Sequence, residues 1–275
     1  MVETAEAAPD PAAAPSPRRT AGDWARLFAR GLGQLLLTAG FVVLLFIVYE
    51  VYITNWFSDR AQAHVKSELR TEFVQGKNPL PSGRLALPGG TGPSVPDGTG
   101  IAILYIPRLG QDYSWAIVQG TNAADLATGP GHYDKSALPG QVGNFAVAGH
   151  RVGHGEPFLN LDHLRFNDAV IVQTESKWFV YRVLGDTGNI DAPDPAVDNL
   201  PGREVVDPGD GAVVAPVPDH PGQVPSLRLM TMTTCTPKFS SSHRMAVHGK
   251  LVASYPASGL RMPAQVKALY RTGGS

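Results

Sequence analysis

Cys235 is the only cysteine in 275 residues, and its setting is specific. It closes the strand-like run LRLMTMTTC (227–235), and Thr236 and Pro237 follow, which suits a thiol at the end of a strand and the rim of a sheet. One thiol makes no disulfide framework, no CxxC redox pair and no four-ligand zinc ribbon. A lone cysteine is commonly an inert core residue, but outside a cell an unpaired thiol is open to oxidation. The nucleophile reading is therefore preferred. Such a nucleophile needs a general acid–base and a group that stabilises the developing oxyanion.

Eight histidines are available. His64 falls in a helical segment and His220 in a Pro-rich loop, where surface roles suffice; His248 lies inside a strand-like run and reads as a satisfied core residue. His150 differs. In FAVAGHRVGHGEPF it stands just past a strand with Gly149 and Gly153 on either side, a tight backbone that can aim a side chain inward at a rim. His154 is the near rival. Their spacing resembles a zinc pair, but Arg151 stands where H-E-x-x-H requires Glu, and Gly153 opposes a helix, so no metal site is expected. For the anion-stabilising group, Arg244 comes eight intervening residues after Cys235, at the start of the run MAVHGKL. A strand–loop–strand hairpin would return it beside the cysteine; Arg228 and Arg151 are the alternatives.

The elements that must hold these residues are β-rich. Segments 101–106, 114–118, 144–148, 169–173, 178–184, 227–233 and 245–252 are short, rich in β-branched and aromatic residues, and bounded by Gly, Pro, Asn and Asp. Helical turns are suggested at 159–164 and 123–126, and a short helix at 264–270. Many short strands with turn punctuation imply a closed barrel or a sandwich. The Pro-rich stretch 191–225 is too long for a simple hairpin and reads as a binding loop. A formal charge of −1, with no basic block, sets nucleic acid aside.

Toward the N-terminus the composition changes. Gly31–Tyr49 is nineteen residues without a charge, enough for a helix of roughly 28 Å, close to the thickness of a bilayer's hydrocarbon. Small cleavage-site residues do not follow it, which favours an uncleaved anchor over a signal peptide. Arg18, Arg19, Arg26 and Arg30 precede the span, which predicts a cytoplasmic N-terminus and an extracellular remainder. Residues 57–74 show helical spacing of Phe57, Ala61, Val65, Leu69 and Phe73, and the next twenty-three residues, 76–98, hold eleven Gly or Pro, as an extended spacer would. The expected division is a disordered cytoplasmic tail (1–30), a transmembrane anchor (31–53), a membrane-proximal helix and stalk (54–98), an extracellular β-rich folded unit (99–256) and a C-terminal tail (257–275).

Three segments together resemble the sortase family: GPGHY (129–133), GHR (149–151), and TMTTC (231–235) followed by Arg244 and VHGKL (247–251). The family's cysteine motif is Thr-Leu-x-Thr-Cys; Met232 replaces its leucine at nearly constant volume. The Cys-Thr-Pro-Lys-Phe continuation and the short gap to the arginine are most similar to the class E sortases of actinobacteria. The resemblance implies an all-β, closed eight-stranded barrel with short helices. It also implies a membrane-anchored cysteine transpeptidase that cuts a Leu-(Pro/Ala)-x-Thr-Gly sorting signal between Thr and Gly. Cys235 would be the nucleophile, His150 the acid–base and Arg244 the oxyanion partner, with no cofactor. Partners would be the sorting signals of secreted surface proteins, a cell-wall or pilin amine as acceptor, and the lipid bilayer through residues 31–53. Two rival readings are a cysteine endopeptidase using water as acceptor and a non-catalytic, membrane-tethered binding barrel. An L,D-transpeptidase is disfavoured because its His and Cys lie close together in sequence, whereas His150 and Cys235 are 85 positions apart.

Overall fold

The β-branched runs form strands whose alternate residues point into one core. The computed structural model describes residues 20–49, 54–80 and 95–272, which fall into two units divided between Tyr49 and Glu50. The expected spacer lies largely outside the described residues, as do residues 1–19 of the expected tail.

In the first unit, α1 (Ala21–Val48) is a single helix whose apolar side chains are exposed all round. Its stretch Trp24–Val48 is long and apolar enough to cross a membrane. The helix starts ten residues ahead of the expected anchor, so 21–30 is helical and not part of a disordered tail. Trp24, Leu27 and Phe28 recur at helical spacing there and extend the helix N-terminally from the apolar run.

In the second unit, helix α2 (Thr54–Val74) precedes the strands β1 (Gly100–Tyr105), β2 (Ser114–Gln119), β3 (Gly131–His132), β4 (Gly143–Ala148), β5 (Ala169–Gln173), β6 (Lys177–Val183), β7 (Pro193–Asp194), β8 (Leu200–Pro201), β9 (Arg203–Val206), β10 (Arg228–Thr236) and β11 (His243–Pro256), with the short helix α3 (Ala123–Thr128) between β2 and β3. The sheet order is β10-β4-β3-β2-β1-β5-β6-β11-β9, and β10 also pairs with β11. That last pairing closes an eight-stranded barrel, leaving β9 as an added edge strand. Closure depends on the length of β11: residues 243–250 pair with β10 and 249–256 with β6. The barrel interior is filled by Ile101, Leu104, Ile117, Phe145, Val147, Met230, Met232, Met245 and Val247, all nearly inaccessible to water.

Three additions cover the barrel wall. Helix α4 (Ala264–Thr272) seats Val266 on Ala169, Ile171, Trp178 and Val180. α2 lays Leu69 and Phe73 on Ile103 and Ala116. The buried stripe of α2 begins with Ser58 and Gln62, while Phe57 is exposed, so the apolar spacing misplaces its first two turns. The Pro-rich segment 191–225 is packed rather than free: it supplies β7, β8 and β9, and buries Val197 and Leu200 against Leu184 and Leu229.

Candidate active site

Two pairings bring the sequence-derived residues to one end of the barrel. In the antiparallel β10–β11 ladder, Cys235 stands directly opposite Arg244. In the parallel β4–β10 ladder, Thr233 is level with Ala148. His150 and Cys235 each lie two residues beyond that last paired rung, so they leave the barrel at the same height. Hydrogen bonds extend the coupling past the ladder: the Gly149 amide donates to the Thr233 carbonyl (3.0 Å) and the Thr234 hydroxyl donates to the Gly149 carbonyl (2.8 Å). A Cβ on Gly149 would meet the Phe158 ring at 2.5 Å, so glycine is needed there for close packing of the histidine loop.

Alternation along β10 sorts its side chains. Met230 and Met232 enter the core, while Thr231, Thr233 and Cys235 share the other face. Exposure on that face rises toward the rim, from 0% at Thr231 and 3% at Thr233 to a partly exposed Cys235. Deep on the face, Thr231 donates to Asn144 Oδ1 (2.8 Å) and pairs with His248 Nδ1 (2.9 Å), and His248 Nε2 meets Glu204 (2.8 Å). His248 is thus the satisfied strand histidine the sequence suggests. Nearer the rim, the hydroxyls of Thr233 and Tyr133 share a hydrogen bond of 3.0 Å.

His150 is partly buried, its ring 4.8 Å from that of His154. Burial, and secondly the neighbouring His154 charge, push its pKa below the usual 6.5, which favours the neutral imidazole. Arg244 is partly exposed and turns its guanidinium onto the carbonyls of Ser241 and His243, each at 3.2 Å. Arg151 has a different part. Only 6% exposed, it donates to Thr236 Oγ1 (2.8 Å) and the Cys235 carbonyl (3.4 Å) and forms an ion pair with Asp162 at 2.9 Å. It props the cysteine strand from behind. Arg228 is exposed at the opposite end of β10, seven residues from the thiol. Tyr133, Thr234 and Arg151 stand inside the three motif segments, and Arg151 is an alternative to Arg244 in the sequence, but spacing could not give their contacts, because the partners are distant in sequence. Among the described residues no group of three or more His, Cys, Asp or Glu is arranged to hold a metal. A groove of about 1160 Å³ between α2, the β1–β2 connection and α4 includes none of Cys235, His150 and Arg244.

The model of the sortase domain matches residues 104–252, which contain all of these side chains. The chain belongs to the sortase family. Sortases are cysteine transpeptidases, and the closed eight-stranded barrel is the fold of the family. The chain is 33% identical over 237 residues to sortase SrtE1 of Streptomyces coelicolor, covering 84% of this chain and 59% of that protein. It therefore spans less than two thirds of that relative's length. It is 31% identical over 256 residues to sortase SrtE2 of the same organism, covering 90% of each. Among solved structures it resembles a SrtF sortase from Corynebacterium diphtheriae (36% identity, TM-score 0.57, 68% of this chain and 98% of that one). Sortase E from Streptomyces avermitilis is also similar (35% identity, TM-score 0.50, 62% and 99%). These relatives make this sortase class E-like.

Proposed function

We propose that this sortase cleaves a Leu-(Ala/Pro)-x-Thr-Gly signal between Thr and Gly and transfers the upstream protein to an amine. The observation carrying this reading is the shared rung of Cys235 and Arg244, with His150 at the same height on the parallel neighbour. The reacting form carries Cys235 as thiolate and His150 as imidazolium, the minor form of a histidine whose pKa is lowered. The thiolate attacks the Thr carbonyl, the C–S bond forms, the C–N bond breaks, and His150 gives its proton to the departing glycine amine. The thioester keeps the acyl group activated, so no ATP is needed outside the cell. An incoming amine then attacks, His150 takes its proton, and the thiolate leaves. Arg244 swings from its loop carbonyls to the substrate carbonyl and its oxyanion, where a positioned donor is worth about 10²–10³ in rate.

α1 is the single-pass anchor in this proposal, with the N-terminus cytoplasmic and the barrel outside, where secreted surface proteins and a cell-wall or pilin amine meet it. The catalytic unit then comprises the barrel of 99–256 together with α2 and α4, which pack on its wall. The test is ligation of Leu-Ala-x-Thr-Gly and Leu-Pro-x-Thr-Gly peptides to a glycine-type amine by the full chain in detergent. Product that requires the amine, and is lost in Cys235→Ala and His150→Gln, supports the reading. Hydrolysis alone, unaffected by amine, would make the chain a peptidase instead.

A further inference from the structure

β2 has one incomplete edge. It pairs with β1 from Ser114 to Val118, but with β3 only at Val118 and Gln119. The outward groups of Ser114 and Ala116 have no strand beside them, and α2 fills that place with side chains. The Ala116 amide donates to Gln62 Oε1 (2.6 Å) and Gln62 Nε2 donates back to the Ala116 carbonyl (3.0 Å), the two-way exchange a neighbouring strand residue would make. One turn on, Lys66 Nζ donates to the Ser114 carbonyl at 2.9 Å. The periods match: four helical residues rise about 6 Å and two strand residues about 6.8 Å. Gln62 also donates to the Thr128 carbonyl (2.9 Å) and is 6% exposed.

The strand held in this way supports the histidine loop. Tyr113, just before β2, donates its hydroxyl to the Pro157 carbonyl (2.6 Å). At Gly155, in the left-handed region at φ 76°, a Cβ would lie 2.9 Å from the Trp115 ring and 3.5 Å from Ser58 of α2. Ser58 itself is 3% exposed. The loop running from His150 to Pro157 therefore rests on Trp115 and on the second turn of α2, while its start is tied to the cysteine strand.

We propose that Gln62 is a positioning residue for catalysis: by standing in for a strand at Ala116 it fixes Trp115, and with Ser58 it sets where the His150 loop lies relative to Cys235. α2 precedes the segment matched to the sortase domain, so this places part of the catalytic apparatus outside that segment. The proposal rests on the reading of His150 and Cys235 as the reacting pair.

The test uses the full chain in detergent micelles, labelled with ¹³C-histidine, with the His150 signal assigned through His150→Gln. Gln62→Met keeps length and apolar volume and removes all three hydrogen bonds, the two to Ala116 and the one to Thr128. The expected result is unchanged circular dichroism and an unmoved His248 signal. The His150 signal and its titration midpoint should shift, and thioester formation should slow about tenfold with KM within about twofold. If Gln62→Met does not fold, Ser58→Leu takes its place, since it presses on the loop without touching the β2 edge, and the same shift in His150 is expected. A folded variant with His150 signal, midpoint and rate all unchanged overturns the proposal. A wild-type chain that forms no thioester with any signal peptide refutes the transpeptidase reading, while the His150 signal still decides whether Gln62 positions that loop.

Discussion

Replacing His132 with glutamine should remove an acid-sensitive term from the stability of the barrel. His132 is fully buried on β3, its ring stacked on Phe145 at a centroid distance of 5.3 Å. Its Nδ1 meets Gln119 Oε1 at 2.9 Å, and its Nε2 meets Ser136 Oγ at 2.9 Å and the Ala137 carbonyl at 3.1 Å. Burial outweighs the Ala137 carbonyl and the Asp134 charge, and pushes the pKa from 6.5 down to about 4. The sign follows from proton counting. Above about pH 6.5 neither native nor unfolded chain carries this proton. Between 6.5 and about 4 the unfolded chain binds it and the native chain does not, so stability is lost as pH falls, at up to about 1.4 kcal/mol per pH unit and about 3 kcal/mol over the interval. Below about 4 the contribution is gone. Urea unfolding of wild type and His132→Gln in detergent micelles, at pH steps from 7.5 to 4, isolates this group because the carboxylates common to both cancel in the difference. The advantage of wild type should shrink by about 3 kcal/mol across the series. A difference that stays constant with pH, or a folded-state His132 that titrates near 6.5 by NMR, would refute the reasoning.

Other consequences are equally direct. His154→Gln removes the charge that helps depress His150, so the His150 midpoint should rise, and the alkaline limb of thioester formation, where imidazolium is lost, should move to higher pH; a limb that moves down or not at all contradicts this. Arg151→Met loses the ion pair to Asp162 and the bonds to Thr236 and the Cys235 carbonyl. With Asp162 one-third exposed, the cost is about 2 kcal/mol, read as a melting midpoint lower by roughly 4–8 °C. Arg151→Lys should recover only part of it, because an ammonium cannot reach both partners as a fork does. Arg244→Ala should leave the melting midpoint within about 1 °C and lower kcat/KM by about 10²–10³, since its side chain holds only loop carbonyls in the free enzyme.

The strands with β-branched runs were legible in the sequence, and so was the cysteine–arginine hairpin, because only eight residues separate its two members and a short antiparallel return has few registers. The parallel β4–β10 pairing was not. It joins segments more than eighty residues apart, and no local pattern encodes which strands become neighbours. β3 and β9, two and four residues long, are too short for alternation to register. β10 and β11 run past their apolar stretches because the barrel supplies partners to Cys235, Thr236 and Ser254 that their side chains do not announce. The buried face of α2 eluded hydrophobic spacing for a related reason: Ser58 and Gln62 are polar, and Gln62 is buried because its amide completes a strand edge. Arg151 stands in the sequence as an alternative to Arg244, but its burial was not legible, because Asp162 and Thr236 reach it only in the fold.

The central claim is that Cys235 carries the acyl group between two amines. Intact mass spectrometry of the full chain, incubated in detergent with a Leu-Ala-x-Thr-Gly or Leu-Pro-x-Thr-Gly peptide, tests it most directly. The account predicts a mass increment equal to the peptide through its threonine, mapped to Cys235, which disappears when a glycine-type amine is added and ligated product forms. A reduced, unmodified Cys235 in the presence of every such peptide, or product that forms undiminished in Cys235→Ala, would contradict it.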